Sequence, residues 1–200
     1  MKKITLCLCG LILAVQLVQG DFRVFGGFAL DNYNATTYGQ DNWEQKIGQH
    51  YGIGYDFDLV QNVSLAVEGI YRQTGAKMAH WVSGFKIYTV DYTLKEIFIP
   101  LMIKASFGEG FSHHILFGGA LSYVLSHDAD IVEDVEVALF LPETKKLYTN
   151  MIFGLGLQGK IGIVSLYVEG RYISALENIL KWEETFQKPR GVTFLFGVAF

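Results

Sequence analysis

Apolar and polar residues alternate along most of this chain. In "YGIGYDFDL", residues 51–59, every odd position is apolar or aromatic and every even position is glycine or aspartate. In "VSLYVEGRY", residues 164–172, the positions from Val164 to Tyr172 alternate in the same way. A period of two is typical of a β-strand with one apolar face, because successive side chains of a strand point to opposite sides. The pattern therefore predicts an all-β fold.

Eight segments carry this alternation, and the connections between them alternate between long and short. The predicted strands are 21–30, 50–60, 62–73, 88–107, 111–126, 147–159, 162–174 and 190–200. The long polar connections are 31–49, 74–87, 127–146 and 175–189, and the tight turns are 61–62, 108–110 and 160–162. Such a meander is typical of membrane barrels with one short-turn rim and one long-loop rim. We predict an eight-stranded antiparallel up-and-down transmembrane β-barrel that occupies residues 21–200 as one domain.

The polar face of these strands carries both acids and bases. They are Glu68, Arg72, Glu96, Lys104, Glu169 and Arg171. The interior of an eight-stranded barrel is only wide enough for side chains, and charges buried there must pair. We predict a lumen charge network that acts as a structural set of salt bridges, with an ion path as the alternative.

Aromatic residues on the apolar face are sorted by strand end. Four tyrosines lie at the long-connection end: Tyr51, Tyr71, Tyr123 and Tyr172. Four phenylalanines lie at the short-turn end: Phe22, Phe107, Phe111 and Phe200. Two aromatic rings with aliphatic residues between them are typical of a barrel that meets a membrane at two interfaces. A soluble β-sandwich, the main alternative fold, gives no reason for this sorting.

The composition favours a β-rich chain and argues against a nucleic-acid partner. Aromatic residues make up 14% of the 200 residues and charged residues 18%, with 22 glycines and a net charge of −4. This is too apolar for a disordered chain, and the negative charge opposes binding to a polyanion.

The first twenty residues, "MKKITLCLCGLILAVQLVQG", are predicted to be a cleaved secretory signal peptide. Lys2 and Lys3 precede an apolar run, and cleavage is expected before Asp21. The cut removes Cys7 and Cys9, so the mature chain is expected to have no disulfide and no thiolate metal site. It also leaves 16 − 2 = 14 basic residues against 20 acidic ones, a net charge of −6. No later segment has the roughly 20 apolar residues that a membrane helix needs.

Three stretches resemble the small outer-membrane β-barrel domains of the OmpA/OmpX type. They are the C-terminal "VTFLFGVAF", "IFIPLMIK" at 97–104 and "EGRYISAL" at 169–176. The acid that usually precedes the Ile-Pro pair in this family is replaced by Phe98, and Glu96 lies two residues earlier on the same face. The resemblance implies the barrel fold and location in the outer membrane of a Gram-negative-type bacterium. It also implies that the barrel-assembly machinery recognises the terminal strand through Phe194, Phe196, Val198 and Phe200.

Candidate chemistry is sparse. Ser126, His127 and Asp128 invite a triad interpretation, but adjacent residues of a strand point apart. His113 and His114 are expected on opposite faces as interfacial or packed side chains. Pro100 cannot donate to a sheet, so a bulge or a missing hydrogen bond is expected beside it. We predict no catalytic residue, no metal site and no cofactor.

These features predict a monomeric outer-membrane barrel with a structural, adhesion or surface-interaction role. Its expected partners are outer-membrane lipid, lipopolysaccharide and, during biogenesis, the barrel-assembly machinery. The alternatives are an outer-membrane lipid-modifying enzyme and a narrow pore or small-ligand carrier. The ligand of the extracellular loops is left open, because fold does not fix function.

Overall fold

The computed structural model describes residues 20–35, 42–82, 85–131, 143–182 and 185–200. The predicted signal peptide lies outside the described residues, apart from Gly20. Within these ranges no helix is long and apolar enough to cross a membrane.

Eight long strands and two short ones make up the fold. The long strands are β1 (Gly20–Ala35), β2 (Asn42–Val60), β3 (Val63–Val82), β4 (Phe85–Phe107), β5 (Phe111–Ile131), β7 (Leu147–Ile161), β8 (Val164–Ala175) and β10 (Thr185–Ala199). The short strands are β6 (Glu143–Thr144) and β9 (Leu180–Trp182). All described pairings are antiparallel, and β1 pairs with both β2 and β10. The eight long strands therefore close into a barrel, as predicted.

The closing seam joins the first and last strands along most of their length. Phe28 of β1 lies opposite Phe194 of β10, and the pairing runs from Arg23–Ala199 to Ala35–Gln187. At the end of the seam the backbones of Phe22 and Phe200 exchange two hydrogen bonds, of 2.9 and 3.3 Å. A closed barrel leaves no unpaired sheet edge, which is the requirement for strands that cross a membrane.

Three tight turns and both ends of the described barrel lie at one rim, here called the inner rim. The turns lie at residues 61–62, 108–110 and 162–163, and the opposite end is called the outer rim. Asn62 has a φ of 68° and Gly110 a φ of 75°, in the left-handed region. Asparagine and glycine tolerate this region better than other residues, which is why they occupy these turns.

The predicted long connections are wrong in extent, because part of each is strand. The connection predicted at 74–87 is almost wholly occupied by the ends of β3 and β4, and β5 continues to Ile131. In this outer part polar residues occupy the outward face, as in the cross-strand pair of Lys77 and Asp91. Backbone pairing continues there, but the apolar alternation that reveals a strand in the sequence has ended.

The two faces of the barrel wall differ sharply in exposure. Along β7 the residues alternate between exposed and buried, so that Met151 is 42% exposed and Ile152 is fully buried. Each long strand carries at least one large apolar or aromatic side chain on the exposed face. The buried face lines the lumen, and it contains the charged residues.

Pro100 lies in β4 where the ladder to β3 is interrupted. The two strands pair through Val67–Leu101 and again through Ile70–Phe98 in the same register, but between these pairs Glu68 and Gly69 have no partner on β4. The prediction of a missing hydrogen bond beside Pro100 is therefore confirmed. There is no bulge at Pro100 itself.

Candidate functional site in the barrel lumen

All six residues of the predicted lumen charge network are buried inside the barrel, and they form two groups. Glu68, Lys104, Glu169 and Arg171 belong to an inner charge cluster, which also contains Arg23, Asp56 and His114. Arg72 and Glu96 belong to an outer charge cluster, which also contains Tyr148.

Glu68 lies at the centre of the inner charge cluster. Its carboxylate accepts two hydrogen bonds from the guanidinium of Arg171, of 2.6 and 2.8 Å, and a third from Arg23 Nη2 of 2.6 Å. Two-pronged pairing of this kind matches the planar fork of arginine to both carboxylate oxygens. β3, β8 and β1 supply the three residues, so the contacts cross the lumen and connect strands that are not neighbours in the sheet.

Glu169 provides the second acid of this cluster. Arg171 Nε donates to Glu169 Oε2 at 2.8 Å, and Arg23 Nη1 donates to Oε1 at 3.1 Å. His114 Nε2 lies 2.9 Å from Oε1 of the same carboxylate. Each carboxylate oxygen of Glu169 is thus paired, as a buried charge requires.

Asp56 extends the cluster toward the inner rim. Its Oδ1 lies 2.7 Å from Arg23 Nη2, and its Oδ2 accepts a hydrogen bond of 3.0 Å from Lys104 Nζ. Gln158 Oε1 accepts a second hydrogen bond from Lys104, of 3.3 Å. The inner charge cluster therefore joins six of the eight barrel strands, through side chains on β1, β2, β3, β4, β5 and β8, and it reaches β7 through Gln158.

The outer charge cluster is a compact triangle. Arg72 Nε donates to Glu96 Oε1, Tyr148 Oη donates to Glu96 Oε2 at 2.6 Å, and Arg72 Nη2 donates to Tyr148 Oη at 3.2 Å. The guanidinium of Arg72 also lies 4.1 Å from the ring centre of Phe98. This contact is within the range of a cation–π interaction.

An apolar layer lies between the two clusters. Ile70 stands between Glu68 and Arg72 on β3, and Phe98 stands between Glu96 and Lys104 on β4. Both are at least 98% buried, and they belong to one apolar cluster with Leu116, Ile152, Ile173 and Leu195. The lumen of the described barrel is thus filled by alternating polar and apolar layers of side chains, which is the arrangement expected of eight strands.

A second apolar cluster fills the lumen toward the outer rim. It consists of Ala76, Leu94, Val124, Tyr148, Ala175 and Ile179. Ile179 follows β8, and its carbonyl accepts a hydrogen bond of 2.9 Å from the backbone of Lys145, beside the paired short strands β6 and β9. These segments pack an apolar side chain into the outer part of the barrel.

Ser126, His127 and Asp128, for which the sequence argues against a triad, do not converge. His127 Nδ1 lies 2.8 Å from Thr144 Oγ1, and its ring stacks on Tyr92 with centroids 5.8 Å apart. Asp128 instead pairs with Lys95 at 3.2 Å on the outside of the barrel. Burial lowers the pKa of His127, and the nearby Asp128 opposes this shift. Nothing in this geometry aligns a serine, a histidine and an acid.

The predicted aromatic and terminal-strand residues lie on the outward face. Exposures range from 39% to 61% for Tyr51, Tyr71, Tyr123, Tyr172, Phe22, Phe107, Phe111, Phe194, Phe196 and Phe200. Val198 is half-buried on the same face of β10. We call the four tyrosines the outer tyrosine ring.

Among the described residues, sequence reasoning missed several polar members of the lumen. They include Arg23, Asp56 and His114 of the inner charge cluster, Tyr148 of the outer one, and the buried His50, which lies opposite Arg72 in the sheet. The signal was present for Arg23, which lies between the outward-facing Phe22 and Val24. Strict alternation places such a residue in the lumen.

Comparison with known proteins gives a fold and no closer relationship. No protein-family model matches the chain, and no curated protein matches it in sequence. The crystal structure of the outer membrane protein OprG from Pseudomonas aeruginosa matches with a TM-score of 0.53 and 12% identity, over 92% of this chain and 97% of that one. Neisserial surface protein A matches at 14% identity and a TM-score of 0.47, over 91% of this chain and 100% of that one. The OprG likeness, together with the closed eight-stranded meander described above, shows that this chain has the fold of a small outer-membrane β-barrel.

Proposed function

We propose that the chain is an integral outer-membrane barrel with a closed lumen, and that its projecting outer wall contacts molecules outside the cell. One observation carries the membrane location: the barrel is inverted relative to a soluble protein. Phe117, Leu155 and Phe196 are 54% to 57% exposed on the outside, while Arg23 and Arg171 are buried within. An apolar surface that encircles a closed barrel is stable only in hydrocarbon. The barrel is compatible with hydrocarbon because its backbone N–H and C=O groups are hydrogen-bonded between strands.

The membrane location is tested with the signal-free chain purified from inclusion bodies. Refolding in detergent is expected to give heat-modifiable gel migration, and refolding in plain buffer is expected to give aggregate. Fractionation of cells is expected to recover the folded form in outer membranes. A monodisperse, folded protein in buffer without amphiphile would overturn the proposal.

The surface-interaction role is supported by the length of the outer wall. β3 continues from Tyr71 of the outer tyrosine ring to Val82, which is roughly 35 Å of strand at 3.3 Å per residue. β4 pairs with it and β5 pairs with β4, and on the outward face of these three strands Lys77, Asp91 and Asp130 lie side by side. A wall of this length reaches well beyond the membrane interface and presents a paired, ordered surface to large molecules.

A shortened hairpin tests this role. Residues 78–90 are replaced by Asn-Gly, so that the cross-strand pair Lys77–Asp91 flanks a two-residue turn. Folding is checked by gel migration, and adhesion of cells that carry each form to protein-coated and bare surfaces is compared. We expect adhesion to fall while folding is retained. Unchanged adhesion of the shortened form would contradict a role for this wall.

The layered lumen supports a barrel that does not conduct. The two charge clusters are separated by the apolar layer around Ile70 and Phe98, and an apolar constriction opposes the passage of hydrated ions. In planar bilayers the refolded protein is expected to give conductance at background. Discrete single-channel openings would instead favour the narrow pore.

A further inference from the structure

Two cations stand on the outward face of β10 near the outer rim. Lys188 and Arg190 are both exposed, and Pro189 between them is buried. Residues two apart on a strand share a face and lie about 7 Å apart. Lys188 Nζ donates to the backbone carbonyl of Leu176 at 3.2 Å, which holds this ammonium group against the barrel wall.

Three other cations of the outer part form ion pairs with acids. Lys46 pairs with Asp91, Lys95 with Asp128 and Lys145 with Glu177. By contrast, the cross-strand neighbours of Arg190 are Ser174 and Asn32, and Lys188 lies opposite Asn34. Among the described residues no carboxylate forms an ion pair with Lys188 or Arg190. Within the described part of the chain these two positive charges therefore have no acidic partner.

Their height on the barrel is set by the outer tyrosine ring. Tyr172 lies directly opposite Val192, the last outward-facing apolar residue of β10 before Arg190. Tyrosines of such rings lie at the level of the lipid head groups. Arg190 is two residues beyond Val192, so its guanidinium lies among those head groups rather than in hydrocarbon or bulk water.

We propose that Lys188 and Arg190 form a binding site for the phosphate of an anionic lipid in the outer leaflet. This proposal rests on the proposed membrane location. Arginine binds phosphate oxygens in a two-pronged manner, lysine adds a point charge, and the hydroxyl of Ser174 is a neighbouring donor. The site would hold one lipid against the seam where β10 meets β8.

The test measures lipid selectivity of the refolded barrel in phosphatidylcholine bilayers. Electron paramagnetic resonance compares the protein-restricted fraction of spin-labelled phosphatidic acid with that of spin-labelled phosphatidylcholine. The variant is Lys188→Gln/Arg190→Gln, and the control is Lys77→Gln/Lys95→Gln. Both double variants lower the net charge by the same amount, and gel migration verifies that each is folded.

We expect the wild type and the control to prefer the anionic lipid, and the Lys188→Gln/Arg190→Gln variant to lose this preference. Each basic residue near an anionic lipid is worth roughly a five-fold change in association. An equal loss in both double variants, or no loss in either, would overturn the site. Displacement of the labelled lipid by a few millimolar inorganic phosphate would replace the lipid with a free anion as ligand. Absence of any protein-restricted lipid would instead overturn the membrane location itself.

Discussion

The guanidinium of Arg171 binds both carboxylate oxygens of Glu68 across the lumen, at 2.6 and 2.8 Å, although 103 residues separate the two in the chain. β8 and β3 are not neighbours in the sheet, so this pair links opposite sides of the wall. A third strand joins through Arg23, which binds the same carboxylate. We therefore expect the inner charge cluster to stabilise the barrel, because its bonds would resist the separation of strands that share no backbone hydrogen bonds.

Removing the central acid is expected to destabilise the barrel strongly. Glu68→Gln leaves Arg23 and Arg171 buried with less counter-charge, and breaking a buried ion pair from one side costs about 3 to 5 kcal/mol. Urea unfolding in phospholipid vesicles measures the loss. Glu109→Gln, in the exposed turn at the inner rim, removes the same charge and is expected to change the free energy of unfolding by under about 0.5 kcal/mol. Equal effects of the two variants would refute the stabilising role of the inner charge cluster.

Two glycines of the barrel provide a matched pair for testing which face is packed. A Cβ at Gly156 would lie 2.1 Å from His114 Nε2 and 2.7 Å from Glu169 Cγ, whereas a Cβ at Gly170 would meet only Phe194, at 3.9 Å. Gly156→Ala is expected to cost about 1 to 3 kcal/mol by overpacking, and Gly170→Ala to be neutral or slightly stabilising. The same urea series decides this. A neutral Gly156→Ala would mean that the inner charge cluster is loosely packed.

The alternation of the sequence was sufficient to predict the barrel and the face of most residues. The alternation alone predicts that the side chains of Tyr51 and Phe196 point outward and that of Glu169 inward, because successive side chains of a strand lie on opposite faces. The ends of β3 and β4 were missed, since apolar alternation stops outside hydrocarbon while backbone pairing continues. The length of a strand is thus harder to predict from the sequence than its existence.

The alternation in the sequence could not predict where a bulge reverses the faces of the following residues. The ladder between β4 and β5 pairs Lys95 with Ser126 but Glu96 with Val124, so Leu125 is an extra residue. This bulge turns His127 toward Tyr92, whereas unbroken alternation from Tyr123 would point it outward. Partners across the lumen, such as Arg171 and Glu68, were equally unpredictable, because they depend on strand tilt and on side-chain reach.

The terminal residue is expected to matter for assembly more than for stability. Phe200 is 61% exposed on the outside, and its contacts with Phe22 are backbone hydrogen bonds that a substitution retains. Phe200→Ser should therefore change the unfolding free energy of refolded protein by no more than about 1 kcal/mol. In cells the folded, heat-modifiable fraction should fall several-fold if the assembly machinery recognises this residue.

The control for assembly is Ile163→Ser, which removes an apolar side chain that is 93% exposed in an inner-rim turn. It is expected to leave the folded fraction in cells unchanged. A Phe200→Ser chain that assembles as well as this control would show that the terminal phenylalanine is not part of the signal.

Acidification is expected to weaken the outer part of the barrel through His127. Its pKa in the folded protein is lowered by burial, so the unfolded chain binds a proton at higher pH than the folded one. Stability from the neutral ring is then present above the unfolded pKa of about 6.5 and falls as the pH drops below it, by no more than about 1.4 kcal/mol per pH unit. Urea unfolding between pH 7.5 and 5 measures this slope. His127→Gln keeps a polar side chain near Thr144 and should make this slope shallower, by at most the contribution of one bound proton. An unchanged slope would show that His127 has the same pKa in the folded and unfolded states.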